Sequence, residues 1–157
     1  MDFRTYLDTE TVGRVDYRRP VWVASTATVA EAIDLMRRQQ VGCVLVMDQG
    51  RLAGIVTERD VLGKVLAGTA GVARGEPVTR IMTADPVTVR VGDSLGCLFR
   101  RMFEGGFRHL PVIDDHGQLL GTVSIKRVVR FLADQFPEIV YNIPPVPEKF
   151  GAAREGA

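Results

Sequence analysis

Thr57 and Asp60 stand three residues apart in Gly54-Ile55-Val56-Thr57-Glu58-Arg59-Asp60, where an apolar strand pattern gives way to a helical one. A hydroxyl and a carboxylate so placed, beside the free N–H groups of a helix start, suit binding chemistry. The helix N-terminus and Thr57 offer donors to an anion such as phosphate, and an ionised Asp60 accepts bonds from ligand hydroxyls. The same spacing is also a capping box, with Thr57 as cap and Asp60 reaching back to it. The two readings are compatible. Ser124-Ile125-Lys126-Arg127 forms a second such junction and keeps the hydroxyl, but Arg127 stands where the first has its carboxylate. Arginine has only donors, so this junction favours something more anionic, or nothing.

Other reactive side chains point to structure. Cys43 and Cys97 lie in apolar surroundings without CxxC or Cys/His spacing, which predicts buried thiols and argues against a disulfide scaffold or structural zinc. His116 falls in a turn, Asp114 to Gly117, and reads as a surface residue. Arg37-Arg38 and Arg100-Arg101 read as solvated flanks of helices. The sequence has no Ser/His/Asp arrangement, metal spacing or P-loop, so the expectation is a non-enzymatic protein.

The elements that must position these residues come from a repeat. Shifted by 66 positions, Val12-Gly13-Arg14-Val15 falls on Val78-Thr79-Arg80-Ile81, Pro20-Val21-Trp22-Val23 on Pro86-Val87-Thr88-Val89, and Met36 on Met102. One extra residue in the second copy's turn moves the offset to 67, and Val56-Thr57 then meets Val123-Ser124. Each copy reads β-α-β-β-α. A strand at 21–23 precedes a helix opened by the capping pattern Thr28-Val29-Ala30-Glu31, with Val29, Ala32, Ile33 and Met36 on one face. Strands over 41–47 and 52–57 flank the turn Asp48-Gln49-Gly50, and Val61, Leu62, Val65 and Leu66 make the apolar face of a second helix that ends near Gly68. This divides the chain into an extension at 1–11, repeats at 12–68 and 78–136, a Gly-rich linker at 69–77, and a proline-rich tail at 137–157, extended or disordered beyond Phe150. A repeat of such length is marginal alone. The expected fold is therefore α+β, two repeats packed sheet to sheet about a pseudo-twofold axis.

With 157 residues and 46% hydrophobic content, the chain suits one domain or two small units sharing a core. Twenty basic side chains against 19 acidic ones give a net charge of +1, no electrostatic case for gripping nucleic acid or an anionic membrane. Mean hydropathy is +0.07, and the start, MDFRTYLDTE, carries no apolar leader. A cytoplasmic location is the expectation.

The doubled order of Pro-Val-x-Val strand, helix ending in Met, strand into an Asp-Gly turn and Thr57-x-x-Asp60 resembles the cystathionine β-synthase (CBS) domain, two of which form a Bateman module. Phe107-Arg108-His109-Leu110-Pro111-Val112-Ile113-Asp114 fits the same pattern, and the resemblance spans about residues 12–134. It implies a cytoplasmic regulatory homodimer that needs no cofactor and binds AMP, ADP, ATP or S-adenosylmethionine in clefts between repeats, with a regulated protein as partner. Asp60 would take the ribose hydroxyls and Thr57 a phosphate. Val87 and Phe107 would meet the base, and Arg108 and His109 the phosphates. A second, weaker cleft would use Val21, Val41, Gly42, Ser124 and Arg127, with Trp22 filling part of it or packing at an interface. The alternative is a constitutive dimerisation scaffold with vestigial clefts.

Overall fold

The computed structural model describes residues 1–68 and 71–141. Helix α1 (Phe3–Thr9) is opened by Asp2, whose carboxylate accepts from the Thr5 N–H, and a 3-10 turn (Val12–Arg14) follows. The first repeat continues as β1 (Trp22–Ala24), α2 (Val29–Gln39), β2 (Cys43–Asp48), β3 (Arg51–Thr57) and α3 (Glu58–Asp60), which runs on as a π-helical segment (Val61–Leu66). The second copy has a 3-10 turn (Val78–Arg80), β4 (Thr83–Ala84), β5 (Val89–Arg90), α4 (Leu95–Gly105), β6 (His109–Ile113), β7 (Leu119–Ser124) and α5 (Ile125–Gln135). Helix α6 (Pro137–Tyr141) closes the described chain.

Local chemistry explains the helix limits. The Thr28 hydroxyl accepts from the Glu31 N–H at 3.1 Å while the Glu31 carboxylate accepts from the Thr28 N–H at 2.7 Å, the reciprocal box expected for α2. Ser94 caps α4 through the Cys97 N–H, and α4 stops at Gly106, whose φ of 67° belongs to the left-handed region. Val29, Ala32 and Met36 of α2, and Leu95, Leu98 and Met102 of α4, are the buried faces.

The strands split their side chains by period two. Val44 and Val46 of β2 face the first helices, whereas Cys43 and Leu45 join Ile55, Leu52 and the second repeat's Leu119 in a seam between the sheets. Leu110, Val112 and Val123 face the second set of helices. The α+β, sheet-to-sheet pair is the architecture observed.

Sequence repeats and packed units do not coincide. The four-stranded sheet runs β1-β2-β3-β4, so its edge strand comes from the second repeat: Ala84 pairs with Gly54 and Thr83 with Ile55, antiparallel. The reciprocal exchange brings Arg18 of the first repeat against Thr122 of β7, with N–H···O bonds of 2.9 Å both ways. Side chains follow. Val12 and Val15 are buried with Leu110, Val112 and Val123, while Val78 and Ile81 are buried with Val44, Val46 and Val56. Each repeat begins with a segment that completes its neighbour.

Two expectations need correcting. The helix after β3 is mostly π-helical, the Ala67 N–H reaching back five residues to the Leu62 carbonyl. Residues 137–141 form α6, with Pro137 at the first helical position where its missing N–H costs nothing. The rest of the predicted tail, like linker residues 69 and 70, lies outside the described residues.

Candidate functional site

The strand starts of the two repeats meet where the sheets converge. Gly42 before β2 and Arg108 before β6 hold equivalent places, each carbonyl accepting from the first N–H of its repeat's later helix: Glu58 N to Gly42 O at 3.0 Å, Ile125 N to Arg108 O at 2.9 Å. A Cβ on Gly42 would lie 3.1 Å from the His109 ring. Burial holds the His109 imidazole below its ordinary value; Glu58 opposes the shift and Arg108 reinforces it. Burial also pushes the Cys43 thiol up to about 12. The thiol is accordingly inert.

Beside this contact opens a cleft of ≈ 1120 Å³ lined by both repeats. Val21, Ile33, Met36, Val41, Val61 and Leu62 give it an apolar wall. Facing them are Arg108, His109, Ser124 and Arg127, joined by Arg18, Arg19, Arg37, Lys126 and Arg130; the acid among the lining residues is Glu58. The Ser124 hydroxyl caps α5, accepting from the Arg127 N–H at 3.3 Å. The Arg127 guanidinium is turned back to Asp16, donating to its carbonyl at 3.1 Å and to its carboxylate. Arg18 donates to the Gln39 carbonyl at 3.0 Å.

The first junction is closed on itself. The Thr57 N–H and hydroxyl both donate to Asp60 Oδ2, at 2.9 and 3.0 Å, and Lys64 Nζ lies 3.0 Å from Oδ1. Lys64 also donates to the Ile81 carbonyl at 2.8 Å, tying the π-helical segment to the crossing turn. The Asp60 side chain is 14% exposed. In this arrangement the carboxylate serves as a cap and ion-pair partner.

All five residues expected for the weaker cleft, Val21, Val41, Gly42, Ser124 and Arg127, therefore line one site, and Arg108 and His109 line it with them. Thr57, Asp60, Val87 and Phe107 do not border that cleft. Val87 is 42% exposed, and the Phe107 ring folds over Gly105 against the second core. Trp22 is not in the cleft either. It lines a shallow depression with Val23, Leu35 and Arg38 along β1, the edge strand of its sheet. Arg101, expected as a solvated flank, is part-exposed and also donates to the Thr88 carbonyl at 2.5 Å and to Asp93 at 3.1 Å. Sequence reasoning missed Arg18, Arg19, Lys126, Arg130 and Glu58 as lining residues. A signal was present in Arg18-Arg19 before Pro20, and in Lys126-Arg127 followed by Arg130 at helical spacing.

The CBS domain family model matches residues 12–67 and again 78–134. The chain belongs to the CBS-domain family. This CBS pair is 36% identical over 119 residues to the Meiotically up-regulated gene 70 protein of Schizosaccharomyces pombe, covering 76% of this chain and 16% of that one. The chain thus spans a small part of that relative. Among solved structures, the CBS domain protein PAE2072 from Pyrobaculum aerophilum, complexed with AMP, is 26% identical, with a TM-score of 0.68 over 74% of this chain and 88% of that one. CBSX2 in complex with AMP is 27% identical, with a TM-score of 0.68 over 80% and 97%. Among the described residues of the CBS pair, no cluster of His, Cys, Asp or Glu could hold a metal ion, and no helix is long and apolar enough to cross a membrane.

Proposed function

We propose that this CBS pair is a regulatory ligand sensor that binds an adenosine nucleotide between its repeats and passes occupancy to a partner protein. The observation that carries the reading is the cleft itself: both repeats line it, with an apolar wall for a base and cationic groups for phosphate. A ligand that bridges two packed units shifts their arrangement by as much as its affinity differs between arrangements. That similar chains have been solved with AMP supports the ligand class.

In this reading Val21, Val41 and Gly42 enclose the base, and Ser124, Arg108 and His109 approach phosphate. Thr57 and Asp60 form the paired site with Val87 and Phe107. There Asp60 shares its carboxylate with ribose, since its two oxygens offer about four acceptor positions. Leu62 and Val129, equivalent in the two repeats and 60% and 43% exposed, form a surface for homodimerisation.

A thermal-shift series with adenosine, AMP, ADP, ATP and S-adenosylmethionine tests the reading. A bound nucleotide at 100 times its Kd stabilises by about 2.7 kcal/mol, which raises Tm by several degrees. Unchanged melting with all five compounds would leave the scaffold function, and light scattering then decides whether a dimer forms without ligand.

A further inference from the structure

The charge of this protein is unevenly distributed. Twenty basic and 19 acidic side chains nearly cancel over the chain, yet seven basic residues line the cleft against one acid, Glu58. The seven come from both repeats. Among the described residues, the side chains of Arg19, Arg108, Lys126 and Arg130 have no hydrogen bond or ion pair, whereas Arg18, Arg37 and Arg127 are engaged by Gln39, Asp34 and Asp16. Cations gathered around one cavity repel one another, and the repulsion is relieved by an anion placed among them. A single phosphate carries about two negative charges. Glu58, Asp34 and Asp16 already offset three of the seven charges, and one phosphate offsets about two of the remaining four, so an excess of positive charge is left for further phosphate groups.

Arg127 adds a second observation. It stands at the start of α5, where the other repeat has Asp60, so the cleft lacks a carboxylate there for sugar hydroxyls and gains donors instead. Its guanidinium is already seated on an anion of the protein, Asp16, whose side chain is 89% exposed and so free to leave. We propose that this cleft recognises a chain of three or more phosphates, held by Arg19, Arg108, Lys126, Arg127 and Arg130, and that Asp16 is the internal anion the chain displaces. The proposal rests on the ligand-sensing reading and deepens it: phosphate number, more than the nucleoside, sets affinity here. Asp16 lies two residues before Arg18, which pairs with the edge of β7, so displacement is felt by the crossing segment.

Titration calorimetry on the full chain at low and moderate salt tests this, with inorganic tripolyphosphate as probe and orthophosphate, adenosine, AMP and a short single-stranded oligonucleotide for comparison. Tripolyphosphate should bind one site per chain, at least tenfold tighter than orthophosphate or AMP and more weakly as salt rises. Arg127→Ala and the surface variant Arg130→Ala should each weaken it about tenfold or more, one charge-assisted bond being lost. Asp16→Ala should tighten it severalfold by removing the competitor, which a merely structural Asp16 would not do. Tripolyphosphate binding no tighter than orthophosphate, an unchanged Kd in Arg130→Ala and Arg127→Ala, or weaker binding in Asp16→Ala each overturns the proposal. A tighter oligonucleotide does so as well, by assigning the cations to a nucleic-acid strand. If adenosine and AMP bind while tripolyphosphate does not, the sensing reading stands and this one falls. If tripolyphosphate binds and the nucleoside adds nothing, the assignment to adenosine falls instead.

Discussion

The backbone carbonyl of Arg18 occupies the space that a Cβ on residue 121 would need, so Gly121 is what lets the first repeat's leading segment lie against β7. Two backbone hydrogen bonds between Arg18 and Thr122 depend on that approach. Gly54 is its counterpart on β3, but there a Cβ would first meet the Met82 thioether at 2.5 Å, the end of a flexible side chain. Gly121→Ala should cost about 2–3 kcal/mol, since main chain must move and both bonds suffer. Gly54→Ala should cost about 1 kcal/mol. Urea unfolding of both variants checks the order, and equal losses would mean that the crossing segments adapt equally well.

Asp60 serves the helix whether or not it also meets a ligand. Asp60→Ala removes the acceptor of two Thr57 bonds and the partner of Lys64, and should lower stability by about 1–2 kcal/mol. Thr57→Ala should do the same, and the double variant should lose clearly less than the sum because one box is broken twice. Denaturant midpoints give the cycle, and full additivity would dissolve the box.

Cys43 should be silent to alkylation. With its thiol pushed up to about 12, only about one molecule in ten thousand carries the thiolate at pH 8. Cys97, expected to be buried as well, is only partly so, and iodoacetamide on the native protein should label it alone, as read by peptide mass spectrometry, and both cysteines in urea. Rapid native labelling of Cys43 would show that the seam between the sheets opens readily.

His109 should make the protein sensitive to mild acid. Its folded value lies below the ordinary 6.5, so between those two values the unfolded chain binds the extra proton. Its contribution is therefore full above about pH 6.5 and is lost as pH falls through that point toward the folded value. His109→Gln should flatten the stability profile from pH 7 to 5 relative to wild type. Parallel profiles would assign the acid sensitivity to other groups.

The sequence and the fold agree where a residue's role is local. Thr28 and Glu31 announce the α2 box, and period-two alternation in β2 separates Val44 and Val46 from Cys43 and Leu45. The exchange of leading segments left no such trace, because β4 is two residues long and Arg18 makes an isolated bridge. Neither is long enough to show a period. The π-helical segment was hidden likewise, six residues being too few to separate a reach of five from a reach of four. The cleft residues Val21, Val41, Gly42, Ser124 and Arg127 were legible through symmetry, since each has a counterpart in the other repeat. Their basic neighbours were not, because a net charge of +1 is a sum that says nothing of where its members lie. The closed state of Asp60 depends on Lys64, one helical turn on, which the pattern Thr57-x-x-Asp60 does not include.

The exchanged segments bear on what a single repeat lacks. A polypeptide with a single repeat would have its leading turn, Val12 and Val15 in one case or Val78 and Ile81 in the other, and no neighbour to receive it. It would also lack an edge strand. Two copies trading these pieces would satisfy each other, as domain-swapped dimers do. The tandem chain has the form of such a swapped dimer with its halves joined through residues 69–77. By the same logic, cutting the linker should leave two fragments that copurify and refold together better than either does alone.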